Sequence, residues 1–157
     1  MNKEIQSIIN ELKSINSGDP WYGRPVYALL DEIDPSIVYK KPNEQSHSLI
    51  ELLYHMITWA GFTLRRIEGD KEQDLAAFEK LDWREIDPHI HNWEKGLKEF
   101  KQIQADIIAL LETKDDGFLK QIVDYRKYNF QVLLRGLIQH NIYHSGQVAY
   151  LVKSLKD

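Results

Sequence analysis

Apolar residues recur along most of the chain at helical spacing, and no segment shows a sustained strand-type alternation. Ile5, Ile8, Ile9, Leu12 and Ile15 follow the i, i+3, i+4 rule, which predicts a first helix stopped by Ser17-Gly18-Asp19-Pro20. Val26, Leu29, Leu30 and Ile33 predict a further piece from about Arg24 to Ile33, continuing that helix after a kink and ending before Pro35. Ser48-Leu49-Ile50-Glu51 fits a capping box, so the second helix starts near Ser48; its apolar residues run to Ile67 and Gly69 closes it. Residues 70–86 have weak periodicity and read as a crossover or lid. Asp87-Pro88 supplies an N-cap with proline at the first helical position, and Trp93, Leu97, Phe100, Ile107 and Leu111 carry a third helix to about Glu112. Asp115-Asp116-Gly117 is turn chemistry, residues 118–128 read as extended or irregular, and a fourth long helix spans Asn129 to about Leu155. Together these elements predict an all-α fold, a four-helix bundle with a long crossover between helices 2 and 3, in one domain spanning residues 1–157.

Composition narrows the chemistry. The 157 residues contain no cysteine, which removes a disulfide framework, a thiolate nucleophile and every Cys-ligated metal site. A metal must therefore sit on His, Asp, Glu or backbone oxygen. Twenty Lys and Arg against 24 Asp and Glu leave a formal charge of −4, with the two signs interleaved, so nucleic-acid binding by bulk electrostatics is not expected. The longest stretch without Asp, Glu, Lys or Arg, Gly136 to Val152, contains Gln139, His140, Asn141, His144, Ser145 and Gln147 and is no membrane span. The N-terminus lacks the pattern of a signal peptide, and the expected location is cytoplasmic.

The informative anomaly lies in helix 4. Its core seam, taken at alternating steps of three and four, runs Phe130, Leu133, Leu137, His140, His144, Gln147 and Leu151. Three successive seam positions are polar, and burying each without a partner costs ~1 to 3 kcal/mol. A metal ion supplies a partner: His140 and His144 lie one turn apart on one face, where two imidazole nitrogens can converge on one ion at ~2.0 to 2.1 Å. The competing reading is two core histidines bonded to neighbouring polar groups. The pair lacks the Glu after its first His that serves zinc metalloproteases as base, which disfavours a protease of that class.

Helix 2 offers a third ligand, because its seam, Leu52, His55, Trp59 and Phe62, sets His55 inward among large apolar side chains. His47 precedes the capping serine about 12 Å from His55 along the axis and reads as a surface or capping residue. His89 and His91, two residues apart, point to different faces. Trp59 and Tyr143 are candidate pocket walls. Gln147, one turn beyond His144, and Tyr143, between the helix-4 ligands, are the candidates for orienting or catalytic roles.

Pro20-Trp21-Tyr22-Gly23, His47-Ser48-Leu49-Ile50-Glu51-Leu52 leading to His55 and Trp59, and the stretch from Gly136 to Gln147 with its Gln-His-x-x-Tyr-His-x-Gly-Gln ending resemble the DinB-like superfamily over nearly the whole chain. The resemblance implies a four-helix bundle with a long crossover, a divalent metal on three histidines (here His55, His140 and His144) and a homodimer. It also implies kinship with enzymes that attach, isomerise or remove groups using thiols such as bacillithiol or mycothiol.

Three protein ligands leave an open position at which a water or a thiol loses its proton more readily. The first expectation is therefore a metal-dependent enzyme acting on a small-molecule substrate with a low-molecular-weight thiol, without nucleic-acid or membrane partners. A metal-dependent hydrolase is the runner-up. A non-catalytic bundle that binds a small molecule or a partner, with a structural metal, is the third, and a fourth protein ligand closing the site would favour it. Neutral imidazoles suit Zn and Ni first, with Fe or Cu as alternatives.

Overall fold

The computed structural model describes residues 2–156, so Met1 and Asp157, the ends of the expected domain, lie outside the described residues. The described residues form six α-helices: α1 (Lys3–Ser17), α2 (Val26–Asp31), α3 (Leu49–Glu68), α4 (Leu75–Leu81), α5 (Trp93–Leu111) and α6 (Phe130–Ser154). The four long ones, α1, α3, α5 and α6, are helices 1 to 4 of the expected bundle. Both α1 and α3 pack against α5 and α6, which puts α1 and α3 at opposite corners. Ile8, Leu12, Leu53, Met56, Phe100, Ile107 and Leu134 are fully enclosed between them, and removing each such side chain from water contributes roughly 1.5–3 kcal/mol. No helix among the described residues is long and apolar enough to cross a membrane.

Local chemistry sets the helix that matters most for the site. The Ser48 hydroxyl accepts from the Glu51 amide while the Glu51 carboxylate accepts from the Ser48 amide, completing the capping box at the start of α3. Gly69 ends α3 in the left-handed conformation at φ 78°, and its amide returns to the last turn. Gly96, inside α5, is explained by packing, not propensity: a Cβ there would lie 2.9 Å from Leu53 Cδ2 and 3.1 Å from the Tyr54 ring, so glycine permits the close approach of α3 and α5.

Two expected boundaries move. The piece from Arg24 to Ile33 is not a kinked continuation of α1; residues 18–25 form turns, and α2 is a separate short helix. Pro20 and Pro25 cannot donate to a continuing ladder, and the Pro25 carbonyl instead accepts from Leu29 at the start of α2. Helix 3 begins at Trp93, not at Asp87-Pro88. Asp87 caps only an isolated turn: its carbonyl accepts from the Ile90 and His91 amides and its carboxylate from the His89 amide. Asn92 then caps α5 through the Lys95 amide. Of the segment 118–128, Phe118–Lys120 is a short 3-10 turn, and an isolated antiparallel bridge joins Ile122 to Asn129.

The start of α1 is capped from a distance. Asp116, in the connection between α5 and α6, accepts from the Ile5 amide at 2.9 Å and the Glu4 amide at 3.4 Å, while Asn2 makes no side-chain cap. Those backbone donors, that of Ile5 foremost, hold the Asp116 carboxyl below its ordinary value. A depressed folded value gives stability that is fully present above the unfolded carboxyl range and is lost as pH falls through the folded one. Asp116→Ala is therefore expected to melt at a lower temperature than the wild type at neutral pH, with the gap closing as pH drops through the carboxylate range. A gap that is independent of pH would refute the charged cap.

Candidate metal centre

The α3 and α6 helices are packed neighbours, and their seams bring together His55 from the middle of α3 with His140 and His144 from one face of α6. One imidazole nitrogen from each of these three side chains lies within 4.8 Å of the other two. His55 Nε2 is 2.9 Å from His144 Nε2 and 3.0 Å from His140 Nε2. His55 and His144 are buried and His140 is partly so.

The tautomers follow from what the other ring nitrogens touch. His55 Nδ1 donates to the Asp82 carboxylate, whose same oxygen accepts from Trp59 Nε1 at 2.9 Å. His144 Nδ1 donates to Gln147 Oε1 at 2.6 Å, and Gln147 Nε2 in turn reaches the Tyr143 hydroxyl at 3.4 Å. Both rings therefore carry their proton on Nδ1 and point an Nε2 lone pair inward. Burial pushes His140 down to about 3, with the two neighbouring imidazoles adding to the shift. Burial also lowers His55 and His144, against the opposing pull of Asp82 on the first and Gln147 on the second. At neutral pH the trio is uncharged, and the His55–His144 contact at 2.9 Å is one lone pair against another with no proton between them.

That contact is unfavourable unless a cation lies between the rings. Tetrahedral geometry with metal–nitrogen bonds of ~2.0–2.1 Å separates its ligand atoms by about 3.3 Å, close to the observed spacing. A donor set of three neutral imidazoles, two of them oriented by a carboxylate and an amide, fits a divalent transition metal.

The sequence model of the DinB superfamily matches residues 24–148, a span that contains the three histidines and Asp82. The chain belongs to the DinB superfamily. A comparison with curated proteins finds no match.

In this DinB-superfamily chain the remaining candidates fall into distinct places. Gln147 is exposed, not part of the seam: after His144 the α6 face that enters the core continues through Val148 and Leu151, and Gln147 reaches His144 from the rim. Tyr143 is 64% exposed and sets its ring edge-on to His144 at 5.0 Å. With His47 and Gln147 it borders a surface cavity of about 710 Å³ that none of the three clustered histidines lines. Trp59 lines a smaller cavity of about 280 Å³ together with His140. His89 is exposed and outside the cluster, and His91 accepts from the Asp87 amide through Nδ1 at 2.9 Å.

Two contributors come from the crossover that periodicity left featureless. Asp82 occupies the C-cap of α4, the end of a helix dipole where a carboxylate is disfavoured. The partner that holds it there is His55 of α3. Trp83 stacks between His55 and His47, with ring centroids 3.9 and 3.7 Å away and planes within 8°. His47 is thus an exposed residue that ends a stack. The turn is pinned to α3 by Thr58, whose hydroxyl donates to the Leu81 carbonyl, and by Arg84, which donates to both the Leu81 carbonyl and the Thr58 hydroxyl.

Proposed function

We propose that His55, His140 and His144 hold one divalent transition metal and that the site activates a low-molecular-weight thiol for transfer to a small electrophile. The observation that carries the metal assignment is the set of inward Nε2 lone pairs with no proton to separate His55 from His144. When bound, the ion supplies Lewis acidity, lowering the pKa of a thiol or water that reaches its open position. The residues do the rest. Asp82 fixes the His55 tautomer, Gln147 fixes that of His144, and Trp83 covers the His55 ring face. The cluster holds three His, Asp or Glu side chains and no fourth among the described residues, which favours an open position over a closed structural site.

The thiol must be a cosubstrate, since the chain has no cysteine of its own. In the reaction the thiol proton is released, sulfur forms a bond to the electrophilic carbon, and the leaving group departs with the bonding pair. Zinc-loaded wild type and His55→Ala, assayed with bacillithiol, mycothiol, glutathione, coenzyme A or cysteine and a chromogenic electrophile, test the reading. Conjugation is expected with at least one thiol in the wild type and not in the variant. Conjugation undiminished in His55→Ala would sink it, and thiol-independent cleavage of esters or amides would replace it with hydrolysis.

A further inference from the structure

The cavity of about 280 Å³ on which His140 opens is just under the ~300–1,000 Å³ typical of small-molecule sites. Trp59, Phe62, Leu133 and Leu137 give it largely apolar walls. Arg126 is its one permanently charged lining side chain. The guanidinium lies 5.9 Å from the Trp59 ring centroid, 5.5 Å from that of Phe62 and 5.6 Å from that of Tyr128. These rings stabilise the cation through their π-faces but accept no hydrogen bond from it. Arg126 Nε is buried with no acceptor, and the side chain makes no hydrogen bond or ion pair among the described residues.

The other arginines in the bundle show how unusual this is. Arg24, Arg65 and Arg135 are paired to carboxylates, Arg84 donates to a backbone carbonyl, and Arg66, whose Nε and Nη1 are also buried without acceptors, still donates through Nη2 to the Gln73 carbonyl. The loop that carries Arg126 is also built to hold it still. Val123 donates to the Tyr128 carbonyl at 2.9 Å, and Phe130 donates to the Gln121 carbonyl at 3.1 Å. Tyr125, immediately before Arg126, takes the left-handed conformation at φ 64°, costly for a residue with a Cβ, while its hydroxyl is tied to the Lys71 carbonyl. The loop thus keeps a strained residue in place and presents an unpartnered cation to an apolar cavity beside the histidine cluster.

We infer that Arg126 is a specificity-determining residue that receives the carboxylate of the small-molecule substrate, whose apolar, ring-sized body fills the cavity between Trp59, Phe62 and Leu137. The inference rests on the metal-site reading above, since it places that body beside His140. A planar carboxylate matches the guanidinium edge by paired charge-assisted hydrogen bonds, which the walls of the cavity leave unmade.

Phenylacetate and its neutral isostere phenylacetamide test it by calorimetric titration of zinc-loaded and chelator-stripped protein, with zinc binding measured separately. Phenylacetate is expected to bind about tenfold or more tighter than the amide in both forms, as charge-assisted pairing implies, and Arg126→Gln should erase the difference. In wild type, phenylacetate but not phenylacetamide should slow modification of Arg126 by phenylglyoxal, mapped by peptide mass spectrometry, a readout that does not depend on the variant folding. Equal affinities, no binding of either compound, or a preference that survives Arg126→Gln would overturn the assignment. A preference present only with zinc and lost in His55→Ala would also overturn it, by giving the carboxylate to the metal. A preference intact in stripped protein that binds no zinc would support Arg126 and sink the metal reading instead.

Discussion

Replacing His140 and His144 together by alanine is expected to take the purified protein from close to one equivalent of divalent transition metal per chain to none, measured by elemental analysis after mild dialysis. Two of three donors disappear, and the remaining His55 on its own is an ordinary monodentate imidazole. Asp82→Asn makes a graded companion. The amide keeps the shape of the side chain but removes the charge that polarises the His55 Nδ1–H, so metal affinity should fall about 10- to 100-fold with full occupancy recoverable at excess metal. Equal metal content in the wild type and the double variant would refute the ligand set. An Asp82→Asn protein with undiminished affinity would mean that the carboxylate merely braces the crossover through Trp59 Nε1.

The parts of this site that the sequence reveals are those that helical periodicity governs. Once Ile8, Leu12, Phe62, Leu133 and Leu137 establish which face of each helix enters the core, the histidines stand out because they occupy the same faces. The capping box at Ser48 and the glycine at position 69 fix α3 so firmly that its boundaries are readable to within a residue. Gln147 is placed wrongly by periodicity, since a seam counted in steps of three and four drifts against a helix of 3.6 residues per turn and lands on the rim.

Asp82, Trp83 and Arg126 were beyond reach for a different reason. They lie in segments whose positions are set by tertiary contacts: the Thr58–Leu81–Arg84 clamp for the first two, and the Val123–Tyr128 and Gln121–Phe130 pairings for the third. No repeat along the chain encodes such contacts. The pairing of His55 with Asp82, and of the His140 cavity with Arg126, depends on two connecting segments that lie against α3 and α6.

A stability inversion is expected from the same geometry: His140→Leu should be more stable than the metal-free wild type and less stable than the metal-loaded one. Without an ion, wild type keeps a largely desolvated imidazole whose Nδ1 has no partner. An unmet buried polar group costs ~1–3 kcal/mol, and leucine, of similar bulk, removes it while extending the apolar seam through Leu137. Metal reverses the order, because a ligand that binds only the folded state adds RT ln(1 + [L]/Kd), ~4 kcal/mol at a thousandfold excess over Kd. Thermal melts followed by circular dichroism, with and without chelator, give all three values. Chelation should lower the melting temperature of the wild type, leave its helical signal at 25 °C largely intact and leave the variant unmoved, because the apolar contacts among α1, α3, α5 and α6 hold the bundle without the ion. Complete unfolding by chelator would make the metal a structural one, and a variant less stable than the stripped wild type would show that the unpartnered His140 Nδ1 does not destabilise the metal-free fold.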